Sequence, residues 1–282
     1  MESTFLRIED PGVKAPDCRE LRLEGTQPIL VVQETQELQP DSVDQASGGL
    51  LWEGALDLAQ HLQLCLRMDP SDLASESPGG RRVLELGAGH GLPGLMALRM
   101  GCRVDFHDFS EQTLRHITAA NCVANGIHVN RADIAGQQHN PDPLVRFVAG
   151  DWTLLKDKME AAGLLYDVII ASEAVYKVDF YPDLLALLER LEPGGRAWFA
   201  GKRFYFGCGG GTASFAAAAR EAGFSVMVDK VLEDGRSNIR EILLISKTDA
   251  THPGKRQKIQ KDEVAEGLQS TQLPTRSCDH PA

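Results

Sequence analysis

The sequence lacks several features that would define its class at once. No stretch reaches the roughly 18 consecutive apolar residues of a membrane span. The first ten residues, MESTFLRIED, lack the basic and apolar regions of a signal peptide. None of the six cysteines forms a Cys-x-x-Cys pair, and we assign none of them to a metal-ligand pair with a histidine. We therefore expect no membrane association, no metal site, and free thiols in a reducing compartment.

Basic residues are also in the minority. The 282 residues include 29 Lys and Arg against 40 Asp and Glu, which gives a formal net charge of -11. Binding to nucleic-acid phosphates needs a basic face, so this balance disfavours a generic nucleic-acid binder, although it leaves room for a local basic site. We expect no direct, sequence-specific nucleic-acid partner. Hydrophobic residues make up 43% and charged residues 24% of the chain. These values are ordinary for a globular protein and exclude a wholly disordered chain.

Polar composition marks both ends of the chain. We predict a weakly ordered acidic segment over residues 1–44, with one candidate strand at Pro28–Val32. A folded domain follows over 45–248, and then a polar, disordered tail over 249–282. The tail contains the basic run Lys255–Lys261, which fits either a solvated tail or a nuclear-import signal. We expect a cytoplasmic protein, with the nucleus as a second location.

Apolar runs alternate with helical patterns between those ends. The patterns predict strands at Arg82–Leu86, Arg103–His107, Val145–Ala149, Tyr166–Ala171, Arg196–Gly201, Phe224–Val231 and Ile239–Ser246. They predict helices at Gly54–Arg67, Pro93–Met100, Ser110–Asn125, Tyr181–Leu191 and Thr212–Ala222. Such alternation favours a parallel sheet covered on both faces. The last two strands are too close in sequence for a crossover helix, so they pair antiparallel or lie apart.

The most informative motif is the run Glu85–Gly91, which follows the first strand of the predicted sheet. Glycines without a Cβ permit a tight strand-to-helix turn and a close approach of a ligand to the backbone. Glu85, two residues before the first glycine, suits a cofactor with a cationic amino-acid end. A phosphate-binding loop often carries a lysine, which this turn lacks. His90 in the turn and His107 further on are candidates to line the same site, and a ligand-free turn is the alternative.

Acids and aromatic rings follow the next two strands. Asp108 comes about 20 residues after the glycines, where a carboxylate can accept hydrogen bonds from ribose hydroxyls, and Phe109 would lie by the adenine. Asp151 and Trp152, after Gly150, offer an acceptor for an adenine amino group and an apolar wall. The alternatives are a helix cap at Asp108 and a buried indole at Trp152.

Three further segments carry candidate site residues. The segment Ser172–Tyr176 follows the most apolar strand, and polar side chains at such a strand end usually face a binding site. The alternatives are a helix cap at Glu173 and a packed aromatic ring at Tyr176. Trp52 and Glu53 precede the glycine motif and could form a lid, but a buried Trp fits equally well. The loop Tyr205–Gly211 contains four glycines. It would either move to admit a bulky substrate or serve as a long flexible connection.

Together these motifs resemble the protein-histidine methyltransferases of the histidine protein methyltransferase 1 homologue type. The segments are GGLLWE, VLELGAGHGLPG, FHDFS, GDW, SEAVY and GKRFYFGCGGG, between Gly48 and Ser246. The resemblance implies a Rossmann-like α/β fold of seven strands, doubly wound and mainly parallel, with a terminal antiparallel hairpin. It implies S-adenosylmethionine as cofactor, with contacts at Leu51, Trp52, Glu53, Gly87, Gly89, Asp108, Phe109, Gly150, Asp151, Trp152 and Ser172. Glu173 and Tyr176 match an E-x-x-Y motif and are the candidates for orienting the substrate.

The resemblance also implies a protein substrate. In the family this is a histidine of the ribosomal large-subunit protein three, modified on the tau nitrogen. The chain departs from the family pattern at Ala88, where a cysteine is usual, and Ile127–Pro143 lacks the long acidic insertion of some members. Two alternatives stay open: a protein-lysine methyltransferase of the same group, and a cofactor-binding ribosome assembly factor. We expect a monomer.

Overall fold

The computed structural model describes residues 18–24, 27–32, 50–66, 80–127, 129, 144–233, 235 and 238–247. The strands are β1 Cys18–Leu21, β2 Ile29–Val32, β3 Arg82–Leu86, β4 Arg103–Asp108, β5 Val145–Ala149, β6 Tyr166–Ser172, β7 Leu191–Lys202, β8 Phe224–Leu232 and β9 Arg240–Lys247. The helices are α1 Glu53–Cys65, α2 Leu92–Arg99, α3 (Glu111–Thr113, Leu114–Thr118 and Ala119–Ala124), α4 Trp152–Ala161, α5 Tyr181–Leu188 and α6 Thr212–Glu221. None of these helices has the length and apolar character needed to cross a membrane.

Seven strands form one sheet in the order β5-β4-β3-β6-β7-β9-β8. The pairs from β5 to β7 are parallel, whereas β9 runs antiparallel to both of its neighbours. The short link between β8 and β9 leaves no room for a crossover helix, so the two strands form a hairpin. The predicted doubly wound sheet with a terminal antiparallel hairpin is therefore confirmed.

Helices cover both faces of this sheet. Alternate residues of a strand point to opposite faces, and Val83 and Leu84 accordingly belong to two separate apolar clusters. The first cluster joins the sheet to α1, α2 and α3, and the second joins it to α4, α5 and α6. Stacked rings lie in each, Phe106 on Phe147 in the first and Phe199 on Phe215 in the second. The apolar strand patterns predicted this double burial.

The structure corrects several predicted boundaries. Helix α5 ends at Leu188, and β7 already begins at Leu191, so the predicted helix end at Leu191 is wrong. The sequence Pro193-Gly194-Gly195 lies inside an irregular stretch of β7, where the pairing with β6 shifts register. Helix α3 begins after the predicted cap Ser110, but its central turn, Leu114–Thr118, is π-helical. Helix α4 and strand β1 were not predicted.

Strands β1 and β2 form an antiparallel hairpin, and residues of β2 belong to the first apolar cluster. Ile29 and Val31 are fully buried there. The guanidinium of Arg99 donates to the carbonyls of Gln27 and Pro28, and Asn125 bonds to the backbone of β2. The boundaries predicted at residues 44 and 248 stay predictions, and the tail over 249–282 lies outside the described residues.

Candidate functional site

A cavity of about 370 Å³ lies at the carboxyl ends of β3, β4, β5 and β6. Strand order reverses between β3 and β6, and ligands of open α/β sheets bind at such a switch point. Both candidates for orienting the substrate, Glu173 and Tyr176, line this cavity, as does every predicted cofactor residue except Glu53. His90 and His107 line it as well. Phe180 and Asp183 also line it and were not predicted.

The glycine-rich turn after β3 uses its glycines in two ways. Gly87 has a φ of 63°, and a Cβ built there would meet no protein atom within 4 Å. Gly91 has a φ of 65°, but a Cβ there would lie 2.8 Å from the Thr118 side chain and 3.0 Å from that of Phe106. Gly87 therefore leaves the cavity wall open to a ligand, whereas Gly91 permits close packing of the start of α2 against α3 and β4.

Glu85 does not face the cavity, contrary to the interpretation drawn from its position before the glycines. Its side chain is buried, and Oε2 accepts a hydrogen bond of 2.9 Å from the Gly94 amide in the first turn of α2. A Cβ at Gly94 would lie 2.4 Å from that oxygen. Burial raises the pKa of the Glu85 carboxyl well above its usual value. Glu85 thus joins β3 to α2 beneath the turn, and it is not among the residues that line the cavity.

Asp108 ends β4 and is fixed by two backbone amides. Oδ2 accepts from Gly89 at 2.9 Å and Oδ1 accepts from Ser110 at 2.9 Å. Burial raises the pKa of Asp108, and these two hydrogen bonds act in the opposite direction. Each carboxylate oxygen has a further lone pair. Asp108 is therefore held in place by the glycine turn and can still accept hydrogen bonds from a ligand in the cavity.

A neutral histidine links this strand to the next one. Nε2 of His107 lies 2.9 Å from the Gly150 carbonyl, and Nδ1 lies 3.5 Å from the Gly87 amide. These partners fit a ring that donates from Nε2 and accepts at Nδ1. Burial lowers the pKa of His107 to about 4. The neutral ring thus fixes the backbone of Gly87 and Gly150 on the two sides of the cavity.

Asp151 has two possible roles. It is the N-cap of α4, and Oδ1 accepts a hydrogen bond of 2.7 Å from the Leu154 amide. The residue also lines the cavity, beside Trp152, whose ring packs edge-to-face on Phe180 at 5.1 Å between centroids. The capping bond occupies one carboxylate oxygen, so the other can accept a hydrogen bond from a ligand.

Glu173, directly after β6, is held from three directions. Oε1 accepts from the Gly54 amide of α1 at 3.2 Å, and Oε2 accepts from the hydroxyl of Tyr205. Its own amide donates to the Ala200 carbonyl at 2.8 Å. Burial raises the pKa of the Glu173 carboxyl, while Tyr205 and the ammonium group of Lys202 act to lower it. The result is a fixed carboxylate on the cavity wall.

Aromatic rings lie next to this carboxylate. The ring of Tyr176 packs edge-to-face on Phe180 at 5.5 Å and on Tyr205 at 6.3 Å between centroids. Nζ of Lys202 lies 5.7 Å from the ring centroid of Trp52 and 5.9 Å from that of Tyr205. Planar apolar faces therefore border the cavity beside Glu173, which suits contact with a flat ring.

Of the three predicted cofactor residues at the start of α1, two line the cavity and one does not. Leu51 and Trp52 line the cavity, and Trp52 is 39% exposed rather than buried. Glu53 does not line it, because Oε2 accepts a hydrogen bond of 3.1 Å from Arg240 of β9. Gly48 and Gly49, which begin the same motif, lie outside the described residues. The role of Glu53 as a cofactor contact stays a prediction.

The glycine-containing loop after β7 is anchored at its end. The Gly210 amide donates to the Tyr176 carbonyl at 3.0 Å, and the Gly211 amide donates to the hydroxyl of Tyr181 at 3.0 Å. A Cβ at Gly210 would lie 2.4 Å from the backbone of Tyr176. Cys208, nearer the middle of the loop, is exposed. The last glycines thus allow this loop to pack against the segment that carries Glu173.

The cavity fits S-adenosylmethionine by the chemistry of its lining. Its described lining residues include the carboxylates Asp108, Asp151, Glu173 and Asp183 but no lysine or arginine. This set suits a ligand with cationic groups and hydroxyls, and it disfavours a cofactor rich in phosphate. Phe109 and Trp152 offer apolar surfaces for a base. The open space at Gly87 allows close approach to the backbone.

Solved structures define the class of this fold. The chain is similar to a S-adenosylmethionine-dependent methyltransferase from Agrobacterium tumefaciens, with a TM-score of 0.52 and 15% identity, covering 83% of this chain and 71% of that chain. A protein from Streptococcus mutans described as a methyltransferase of the same kind gives a TM-score of 0.55 and 14% identity, covering 83% of this chain and 56% of that chain. The architecture is that of these methyltransferases.

The sequence places the chain in a particular family. The lysine methyltransferase family model matches residues 33–197, and the chain belongs to that family. It is 31% identical over 201 residues to the histidine protein methyltransferase 1 homolog of Dictyostelium discoideum, covering 71% of this chain and 57% of the relative. The Bos taurus protein of the same name is 31% identical over 205 residues, covering 67% of this chain and 52% of the relative. The resemblance inferred from the motifs is confirmed, and the chain spans about half the length of these relatives.

A lysine-modifying relative matches a shorter part of the chain. The protein N-lysine methyltransferase METTL21A of Danio rerio is 32% identical over 145 residues, covering 51% of this chain and 56% of the relative. The chain therefore matches relatives that are named for two different acceptor residues.

Proposed function

We propose that the chain is a S-adenosylmethionine-dependent protein methyltransferase that modifies a histidine side chain. The observation that carries the proposal is the fixed carboxylate of Glu173, bordered by aromatic rings on the wall of the cavity. Relatives named histidine protein methyltransferase 1 support the choice of acceptor. The family model, which bears the name of lysine methyltransferases, supports protein as the substrate class.

S-adenosylmethionine supplies a methyl group that the positive charge of its sulfonium activates. Asp108 would accept hydrogen bonds from its ribose hydroxyls, with Phe109 and Trp152 against the adenine. The second oxygen of Asp151 would accept from the adenine amino group. The glycine turn, with its open space at Gly87, would leave room for the amino-acid end.

Glu173 and Tyr176 would orient the acceptor ring. Imidazole has an ordinary pKa of about 6.5, so most of it is the free base at neutral pH and no strong general base is needed. An ionised carboxylate offers about four lone-pair positions, of which Gly54 and Tyr205 use two. Glu173 can therefore accept a hydrogen bond from the second ring nitrogen and stabilise the positive charge that develops on the ring.

The substrate that we propose is a histidine of the ribosomal large-subunit protein three, methylated at the tau nitrogen. The support is the resemblance of the motifs together with the net charge of -11, which favours a basic partner. We also propose a monomer in the cytoplasm, with the nucleus as a second location if the basic run Lys255–Lys261 is an import signal rather than a solvated tail. That basic run lies outside the described residues.

A lysine substrate is the second candidate, which the family description and the METTL21A relative favour. Lysine has an ordinary pKa of about 10.4, so its amine must lose a proton before it can attack. Such an enzyme would need Glu173 to help desolvate or deprotonate the amine rather than to orient a neutral ring.

The experiment that tests the proposal measures transfer of labelled methyl groups. The acceptor is a ribosomal protein extract from cells that lack this enzyme. We expect one labelled band, identified by mass spectrometry as the large-subunit protein three. If a different protein is labelled, that protein is the substrate and our assignment of the large-subunit protein three is wrong. If the chain binds the cofactor but transfers no methyl group, the result favours the assembly-factor alternative. Glu173→Gln should lose transfer while it keeps its affinity for the cofactor, whereas a loss of cofactor affinity alone would make Glu173 a cofactor contact.

A further inference from the structure

A second group of polar side chains lies between α1 and the edge strand β8, and none of them lines the cavity. His61 and Cys65 are four residues apart on α1, with Sγ of Cys65 3.2 Å from Nε2 of His61. Oδ2 of Asp229 lies 2.7 Å from the same nitrogen. One nitrogen, one sulfur and one oxygen atom thus lie within 4.8 Å of one another.

The backbone brings these side chains together. Residues four apart on a helix share one face, which aligns His61 and Cys65. The pairing of β8 with β9 shifts register between Val228 and Lys230, so Asp229 is the extra residue of a β-bulge. A bulge redirects a side chain, and here the carboxylate reaches α1. Nε1 of Trp198 donates to Oδ2 of Asp229 at 3.1 Å and fixes the orientation of that carboxylate.

Burial of the cluster is uneven. His61 is buried, with 7% of its surface exposed. Its Nε2 atom lies next to both Cys65 and Asp229. Its Nδ1 atom has no hydrogen-bond partner among the residues that the structure describes. The side chain of Asp229 is 24% exposed, so solvent reaches one side of the cluster. The cluster is therefore closed by protein on one side and open to a solvent ligand on the other.

Two of the three separations between ligand atoms lie within about 1 Å of those in a tetrahedral metal site, and the third, between Sγ of Cys65 and Oδ2 of Asp229, is at most 4.8 Å. Zinc bound to sulfur, nitrogen and oxygen at its usual bond lengths holds these ligand atoms about 3.4–3.6 Å apart. The observed separations of 3.2 Å and 2.7 Å would need to open by less than about 1 Å, which side-chain rotation allows. Softer thiolate and imidazole ligands favour zinc over magnesium or calcium.

The geometry points to a zinc site formed by His61, Cys65 and Asp229, with a water molecule as the fourth ligand. Zinc there would tie α1 to β8, and α1 begins beside the cavity at Trp52. The four-residue spacing of His61 and Cys65 is the sequence signal for this site, which the expectation of no metal site overlooked.

Binding would release one proton to solvent, because the ligand form of cysteine is the thiolate. Burial and the nearby Asp229 carboxylate raise the pKa of the Cys65 thiol to about 11, and the positive charges of Arg196 and Lys230 act to lower it.

The test uses the full chain with one equivalent of Zn²⁺, passed through a desalting column before elemental analysis. We expect about one zinc per chain in the wild type and roughly a tenfold lower content in Cys65→Ser and in Asp229→Asn. Cys208→Ser, which changes an exposed cysteine elsewhere, is the matched control and should keep its zinc. With Co²⁺ in place of Zn²⁺, the wild type should show the charge-transfer absorption of a cobalt thiolate, and Cys65→Ser should not.

Two results would overturn this inference. One is a wild-type chain that retains no zinc after the desalting column; the other is equal retention of zinc by the wild type and Asp229→Asn. Circular dichroism monitors folding of each variant, and Asp229→Asn decides the question if Cys65→Ser fails to fold. In either negative case, His61 and Asp229 form only a hydrogen-bonded pair that joins α1 to β8.

Discussion

The hydroxyl of Tyr205 donates a hydrogen bond to Oε2 of Glu173, across 32 residues of sequence. The same carboxylate accepts from Gly54 through its other oxygen, so it joins the loop after β7 and the start of α1 to the end of β6. Glu173 has a φ of 55°, which is uncommon for a residue other than glycine. Such strain persists where the surroundings over-determine a conformation, and it is frequent at functional sites.

Tyr205→Phe should lower the turnover number and leave the affinity for S-adenosylmethionine within about twofold. A hydrogen bond to a charged group contributes about 1.5–3 kcal/mol, which corresponds to roughly 10- to 100-fold in rate if it positions Glu173. The lost donor also removes an effect that lowers the pKa of Glu173. The acidic limb of the rate profile should therefore move to higher pH.

Steady-state kinetics and calorimetry across the pH range check this prediction for Tyr205→Phe. Cys208→Ala, in the same loop but exposed, is the control and should behave as the wild type. An unshifted pH profile with an unchanged turnover number would show that Tyr205 does not position Glu173.

Two substitutions at Asp151 separate its capping role from a cofactor role. Asn is as good an N-cap as Asp, so Asp151→Asn should change the free energy of unfolding by less than about 0.5 kcal/mol. Its amide NH₂ group would face the adenine amino group, and the affinity for S-adenosylmethionine should fall roughly tenfold. Asp151→Ala should lose the cap as well, at about 1 kcal/mol. Unchanged cofactor affinity in Asp151→Asn, measured by calorimetry, would reduce Asp151 to a cap.

Glu53→Gln should affect neither cofactor binding nor stability strongly. The side chain is 54% exposed and pairs with Arg240 outside the cavity, and such an ion pair contributes up to about 1 kcal/mol. We expect an affinity for S-adenosylmethionine within about twofold of the wild type. A tenfold loss in the same titration would instead support the role that the motif resemblance implies for Glu53.

His107 should make the fold sensitive to acid. Its pKa is about 4 in the folded chain, against about 6.5 when unfolded, so the unfolded state binds more protons between these values. Stability from this residue is therefore complete above about pH 6.5 and is lost as pH falls towards 4, by about 3 kcal/mol in total.

Chemical denaturation of wild type and His107→Gln at several pH values isolates this contribution. Burial raises the pKa of the Glu85 and Asp108 carboxyls, and this increases the free energy of unfolding as pH falls. These carboxyls are present in both proteins, so the informative quantity is the difference in free energy of unfolding between the wild type and His107→Gln. That difference should shrink as pH falls from 6.5 to 4. A constant difference would contradict a neutral, buried His107.

Local patterns account for what the sequence could predict. The apolar strands and the glycine turn after β3 are local features, so the residues next to one another in sequence are enough to predict them. Because parallel strands end at the same edge of a sheet, the positions of Asp108, Asp151 and Glu173 beside one cavity were also predictable. Helix α4 was not predicted because only two of its residues, Leu155 and Met159, are buried. Two buried positions give too narrow an apolar stripe for the sequence pattern to indicate a helix.

Contacts between distant segments could not be predicted in this way. Glu53 turns towards Arg240, its partner 187 residues away. Glu85 has the acidic character that suits a ligand contact, but packing beneath α2 decides its direction. Phe180 lines the cavity, where its ring packs on both Trp152 and Tyr176. Side-chain direction at such positions depends on tertiary packing rather than on spacing.

The chemical identity of the methylated residue decides most directly between a histidine and a lysine acceptor. Protein labelled by this enzyme with S-adenosylmethionine is hydrolysed to amino acids, and the labelled product is separated against standards. We expect tau-methylhistidine as the labelled product, and Glu173→Gln should yield little of it. Label recovered as methyl-lysine would contradict the histidine assignment and leave the fold and cofactor site in place.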